Sequence, residues 1–225
     1  MKKLTFDELP LGGFAGLTEK RFVTDRRVFN AGNSKAFDGL GNFVYLADAN
    51  FQPHGETRMH PHREIDVISV MVAGKISHQG SLEHGQSLDT GYTQVQRAGA
   101  EGFSHNEINP DDKENQLIQL WVLPDEHGES AGYKVYPPSH GKLTKIYGGN
   151  KQQQATFYSK TALAVGQFSQ GETASQSGEV MAYLTKGSAI INSEKINART
   201  LIHSDNGIEF TAENDAQLIV IYHET

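Results

Sequence analysis

The sequence predicts an all-β protein of two similar barrels in tandem, and three observations carry that expectation. Short apolar runs rich in β-branched and aromatic residues recur throughout, 23 glycines punctuate them, and few windows show the 3.6-residue period of an amphipathic helix. Near the middle, Val135-Tyr136-Pro137-Pro138-Ser139-His140-Gly141 interrupts the pattern, because proline cannot donate to a β ladder and glycine breaks a strand. Finally, the halves on either side resemble each other, and internal repetition usually fixes an architecture before any single motif does.

The expected strands, in order, are Phe43 to Ala47, Ile65 to Val72, Gln116 to Leu123, Thr161 to Phe168, Val180 to Leu184 and Gln217 to Tyr222. Asp66-Val67-Ile68-Ser69-Val70-Met71-Val72-Ala73-Gly74 aligns with Glu179-Val180-Met181-Ala182-Tyr183-Leu184-Thr185-Lys186-Gly187: an acid, an apolar strand and a glycine turn. Gln116-Leu117-Ile118, with Leu120 and Trp121, is echoed by Gln217-Leu218-Ile219 with Ile221 and Tyr222. The break places one domain at 1–138 and a second at 139–225.

With 37% apolar and 21% charged residues over 225 positions, the chain can bury a sizeable core. A formal charge of −7 and no Lys/Arg run leave no basic stripe for phosphates, so direct nucleic-acid binding is not expected. There is no cysteine, which removes disulfides, thiolate ligands and a Cys nucleophile, so any metal must sit on N and O ligands. The start, Met1-Lys2-Lys3-Leu4-Thr5-Phe6-Asp7-Glu8, is acidic where a signal peptide needs its apolar segment. No stretch reaches the roughly 18 apolar residues that span a bilayer. A cytoplasmic monomer that does not engage membranes is expected.

The chemistry concentrates in two short pairs. Side chains alternate across a strand, so His60 and His62 in Arg58-Met59-His60-Pro61-His62-Arg63 share a face if that segment is extended. Pro61 places the segment at a strand start or a sheet edge. His105-Asn106-Glu107 repeats the spacing with an imidazole and a carboxylate. Either pair alone is an ordinary strand face. Two such pairs on adjacent walls can converge on one ion, and three imidazoles with one carboxylate leave open positions for water or substrate.

With Gly55, His60-Pro61-His62-Arg63, Asp66, Gly74, His78-Gln79, Ala98-Gly99, His105-x-Glu107, Asn109-Pro110 and Gln119-Leu120-Trp121-Val122, the first half resembles the pirin family of the cupin superfamily. That resemblance implies two cupin domains of jelly-roll type. The first would hold one divalent transition metal, commonly Fe(II), through His60, His62, His105 and Glu107; Ni, Mn, Co, Cu and Zn suit the same donors. Asp66 competes with Glu107 on paper, because many cupins ligate from that position; the expectation puts Glu107 on the ion and Asp66 behind a histidine N–H.

The second domain is expected to have lost its ligands, with Thr173 and Ser175 standing where His60 and His62 do. His203-Ser204-Asp205 precedes Asn206-Gly207 and reads as a surface turn. His54, His78, His84, His127, His140 and His223 read as surface or supporting residues, His78 being the one closest in pattern to the site, and Trp121 reads as core.

By the same resemblance, one expectation is a quercetin 2,3-dioxygenase-like oxidoreductase opening a flavonol or a related small enol with O₂ and releasing carbon monoxide. Glu107 would take the 3-hydroxyl proton. The rival expectation is a non-enzymatic, redox-responsive regulator that binds a transcription or metabolic protein partner. A third is a binding module whose metal is vestigial.

Overall fold

The computed structural model describes residues 1–30, 35–82 and 86–224. Two compact units emerge, Leu9–Pro137 and a second made of Met1–Glu8 with Pro138–Thr225. In the first, a seven-stranded antiparallel sheet runs in the order Gly132–Tyr136, Thr93–Arg97, Asp66–Ala73, Asn115–Val122, Phe43–Phe51, Leu17–Thr24, Gly12–Phe14. A four-stranded sheet accompanies it in the order His60–His62, Phe103–Ile108, Lys75–Gly80, Ser87–Asp89.

The second unit repeats the plan. Its larger sheet runs Lys2–Thr5, Thr200–Ser204, Val180–Lys186, Ala216–His223, Ser159–Phe168, Thr144–Gly149, and its smaller one Thr173–Gln176, Ile208–Ala212, Ser188–Ile191, Glu194–Asn197. The fold is all-β, two barrels of jelly-roll type. Phe6–Glu8, a single 3₁₀ turn, is the only helix among the described residues, and none of them forms a helix long and apolar enough to cross a membrane.

The six strands expected from sequence are the central strands of the two large sheets, and each is found within a few residues of its expected limits. They are apolar because both of their faces are covered: Val67, Ile68, Val70, Ile118 and Leu120 have no exposure, nor do Ala182, Leu184, Leu218 and Val220. Gly74 and Gly187, at φ of 76° and 84°, turn equivalent strands back into the smaller sheets in a conformation that L side chains rarely adopt.

What fills each barrel differs. In the second unit Phe168, Val180, Leu184 and Leu218 of the large sheet meet Ala189, Ile191, Ile208 and Phe210 of the small one in a single apolar cluster. In the first, the apolar cluster of Leu17, Phe51, Met71, Ile76, Leu88 and Leu117 occupies only part of the space between the sheets. Val67, Ala98 and Phe103 form a second, separate apolar cluster, and His78, Gln94, Gln96, His105 and Glu107 are buried as well.

The division of the chain differs from the expected one at its start. Residues 1–8 belong to the second unit, because Lys2–Thr5 adds an edge strand to Thr200–Ser204, with Leu4 opposite Leu201. Leu4 is only 4% exposed, so this strand is anchored by burial as well as by its ladder. Leu4→Ala is expected to cost about 2 kcal/mol or more. Hydrogen exchange should show the loss of protection at Thr200–Ser204 and not at Asp66–Ala73; equal protection at Thr200–Ser204 in variant and parent would contradict this.

Candidate metal centre

The strand His60–His62 lies at the edge of the smaller sheet, where the missing N–H of Pro61 costs no ladder bond. Arg58 at φ 66° and Glu64 at φ 50° bracket it with left-handed turns that confine the extended run to three residues. It pairs antiparallel with Phe103–Ile108, placing His105 opposite His60 and Phe103 opposite His62. Gly102, at φ 71°, allows the approach, since a Cβ there would lie 2.7 Å from the His62 carbonyl.

Alternation turns His60, His62 and His105 to one side, with ring centroids 4.5, 4.9 and 5.0 Å apart. Their ligand atoms all lie within 4.8 Å of one another. His60 Nδ1 sits 2.8 Å from the Arg58 carbonyl, which can accept a hydrogen bond from Nδ1–H and so leave the Nε2 lone pair toward the cluster. That Nε2 is 3.0 Å from His105 Nε2. His62 Nε2 and His105 Nδ1 are buried with no hydrogen-bond partner. A buried imidazole nitrogen left unpaired is costly, and a cation shared with the facing Nε2 atoms of His60 and His105 would satisfy that of His62. The three histidines therefore fit a divalent metal ion.

Electrostatics agree with that fit. Burial, then the neighbouring His60, pushes the His62 imidazole down to about 4. Burial, followed by His60, His62 and His78, pushes His105 down to about 2. Both stay neutral at physiological pH, as ligands must.

Glu107 comes two residues later on the same face of the His105 strand but is not part of the three-histidine cluster. It has no exposure. Its Oε1 accepts from Ser69 Oγ at 2.9 Å and Gln94 Nε2 at 3.2 Å, and its Oε2 from Gln119 Nε2 at 3.3 Å. Gln94, Ser69 and Gln119 are consecutive partners across three strands of the large sheet, a transverse polar row aimed at one carboxylate of the opposite sheet. Burial pushes the Glu107 carboxyl up, against the lowering effects of Ser69, His60, Gln119 and Gln94.

Asp66 accepts the Ala98 amide N–H at 3.1 Å and so ties the strand start to the turn that precedes Phe103–Ile108. It lies outside the histidine cluster. His78 stands opposite Glu107 in the ladder, is buried, contacts the His105 ring at 5.4 Å and places Nε2 3.1 Å from Gln96 Nε2. Trp121 is partly buried and meets the His62 ring edge-on at 5.7 Å, so it borders the cluster as well as the core.

In the second unit Thr173 and Ser175 face outward. The inward residue between them is Ala174, which packs on the apolar cluster, so simple projection of the repeat runs one residue out of phase. His203 lies in the strand Thr200–Ser204 rather than in the turn, paired with Glu179 at 2.8 Å and near Asp205 at 3.9 Å; both acids are exposed. His54 and His127 form surface pairs with Asp112 and Glu64, and His140 and His223 are exposed. His84 lies outside the described residues. Sequence reasoning misses Ser69, Gln94, Gln96 and Gln119 as parts of the site; the i, i+2 glutamines of Thr93-Gln94-Val95-Gln96 are the available signal.

The family model described as Pirin matches residues 24–122, the segment that carries both ligand pairs. Over that segment the chain is similar to the pirins. A quercetin 2,3-dioxygenase of Escherichia coli O157:H7 is 26% identical over 171 residues, covering 72% of this chain and 73% of the relative. A Pseudomonas aeruginosa protein given that name provisionally is 27% identical over 177 residues, covering 72% and 75%. The crystal structure of the bacterial pirin YhhW from Escherichia coli in complex with nickel(II) superposes with a TM-score of 0.82 at 17% identity, covering 100% of this chain and 99% of that one. The quercetin 2,3-dioxygenase of Acinetobacter baumannii gives 0.72 at 18% identity, covering 100% and 86%. At such identities the structural likeness speaks for the fold, a bicupin.

Neutral buried histidines make the metal-free protein acid-sensitive. The unfolded chain protonates His62 near its ordinary 6.5 whereas the folded chain refuses the proton until about 4. Stability is therefore fully present above 6.5 and lost as pH falls through that window, with His105 extending the loss toward about 2. Chelator-treated protein should melt lower at about pH 4.5 than at about pH 7, by up to about 1.4 kcal/mol per pH unit per histidine. His62→Asn should lose less on acidification; an equal loss would show that His62 is not held neutral.

Proposed function

We propose that His60, His62, His105 and Glu107 of this chain hold one divalent transition metal, Fe(II) in the working protein, and that the site is a dioxygenase centre for a quercetin-like flavonol or a related small enol. The observation that supports it most directly is the buried, unpartnered Nε2 of His62 beside the facing Nε2 atoms of His60 and His105, with a carboxyl nearby that burial has made more basic. The names of the curated relatives favour the same reaction.

When bound, the metal supplies a Lewis acid for an enolate oxygen and a partner for dioxygen. The chain does the rest. His62 and His105 remain neutral and present lone pairs, and His60 is steered by the Arg58 carbonyl. Glu107 accepts the proton of the enol hydroxyl, and its raised proton affinity suits a base that must take a proton from oxygen. Ser69, Gln94 and Gln119 keep that carboxylate from swinging, while Phe103 and Trp121, packed on the His62 ring at 5.3 and 5.7 Å, exclude water from one flank.

Replacing both His60 and His62 by Ala is expected to abolish metal binding, read by elemental analysis after gel filtration; retained stoichiometry would refute the ligand assignment. Iron-loaded protein is expected to consume quercetin aerobically, followed as loss of flavonol absorbance with carbon monoxide release. Glu107→Gln should lower turnover by about 10²–10⁴-fold, the usual worth of a general base. Absence of turnover with every first-row metal would overturn the enzymatic reading.

A further inference from the structure

Trp121 is the chain's single tryptophan, and it does not stand alone beside His62. It lies directly opposite Tyr45 in the ladder of the large sheet, the two rings stacked 4.3 Å apart at 30°. Phe29 stacks on both, 5.4 Å from Tyr45 and 6.0 Å from Trp121. The Tyr45 hydroxyl donates to Glu19 Oε2 at 2.9 Å, although both residues are only 4% exposed. Glu19 in turn is paired through Oε1 with Arg21 at 2.6 Å, whose side chain is 45% exposed. A continuous set of contacts thus runs from a histidine of the metal cluster to the surface through two oxidisable rings.

We propose that Trp121 and Tyr45 form a one-electron relay between His62 and the surface at Arg21, with Glu19 as the acceptor of the phenolic proton.

The protonation geometry gives the relay a direction. The Trp121 indole N–H is buried without an acceptor, so an oxidised Trp121 keeps its proton and remains a cation that burial disfavours. Tyr45 has an acceptor in place, and its oxidation transfers the phenolic proton to the Glu19 carboxylate to leave a neutral phenoxyl. Arg21, 6.0 Å over the Tyr45 ring, further disfavours a charged ring and favours release of the proton. Burial and Glu19 push the ordinary acid ionisation of Tyr45 far up, so the proton leaves only together with the electron.

Trp121 would supply one electron to an oxidised metal held by the histidine cluster, Tyr45 would refill Trp121, and Tyr45 would give its proton to Glu19. A surface one-electron reductant of the ascorbate class returns the electron, and Glu19 returns the proton. The net change is one metal reduced and one reductant oxidised.

The relay rests on the metal reading for its inner end only, and two measurements separate the two. Metal-free full-length protein is treated with hexachloroiridate(IV), freeze-quenched and examined by EPR. A neutral tyrosyl signal is expected that Tyr45→Phe removes and the exposed control Tyr92→Phe leaves, while Glu19→Gln shifts the signal to tryptophanyl. Then ferric protein is reduced by ascorbate and the decay of the ferric EPR signal is timed. Tyr45→Phe and Trp121→Phe should each slow it by about tenfold or more at unchanged iron content. A tyrosyl signal that survives Tyr45→Phe, or a reduction rate that neither variant changes, overturns the relay whatever the outcome with quercetin.

Discussion

A carboxylate with no solvent exposure must find its hydrogen bonds inside the protein, and at Glu107 that requirement organises the first barrel. The donors come from the opposite sheet, one each from Thr93–Arg97, Asp66–Ala73 and Asn115–Val122, and they reach the carboxylate only if those three strands are in register. A slip of one residue would turn all three donors away and strand the charge, at about 1.5–3 kcal/mol for each hydrogen bond to it. The row therefore fixes sheet register and aims Glu107 in one stroke. Because His105 is two residues earlier on the same strand, the same constraint sets the height of the histidine cluster.

The two barrels share a topology and differ in what they enclose. The second closes over Phe168, Phe210 and their aliphatic neighbours, with Ala174 facing in from the strand equivalent to His60–His62. The first gives up part of that apolar filling to house three imidazoles, a carboxylate and their partners. One barrel carries the polar burden while a structurally parallel one is packed in the ordinary way.

How much of this is legible in the sequence depends on where each residue sits. The six central strands can be read because burial on both faces makes them continuous apolar runs. The strands that carry the candidate site are short and polar, and only i, i+2 spacing marks His60, His62, His105 and Glu107 as candidates. Ser69, Gln94 and Gln119 lie far apart in the chain and meet only through register, which no local pattern encodes. Thr173 and Ser175 mislead because an offset carried from Gly187 ignores the shift of phase between the repeats, and a period of two forgives no such shift. Reading Trp121 as core describes its packing but not its edge-on contact with His62.

The edge strand Lys2–Thr5 has a temporal meaning. Synthesis runs from N- to C-terminus, so this strand is made before, and its partner Thr200–Ser204 after, the whole first barrel. The first barrel holds every strand of its own sheets and can condense during synthesis, whereas the second must retrieve a segment from the far end of the chain, a closure that is slow but only modestly dearer for its length. Residues 1–8 thus act as a clasp that can fasten only once Thr200–Ser204 has been made.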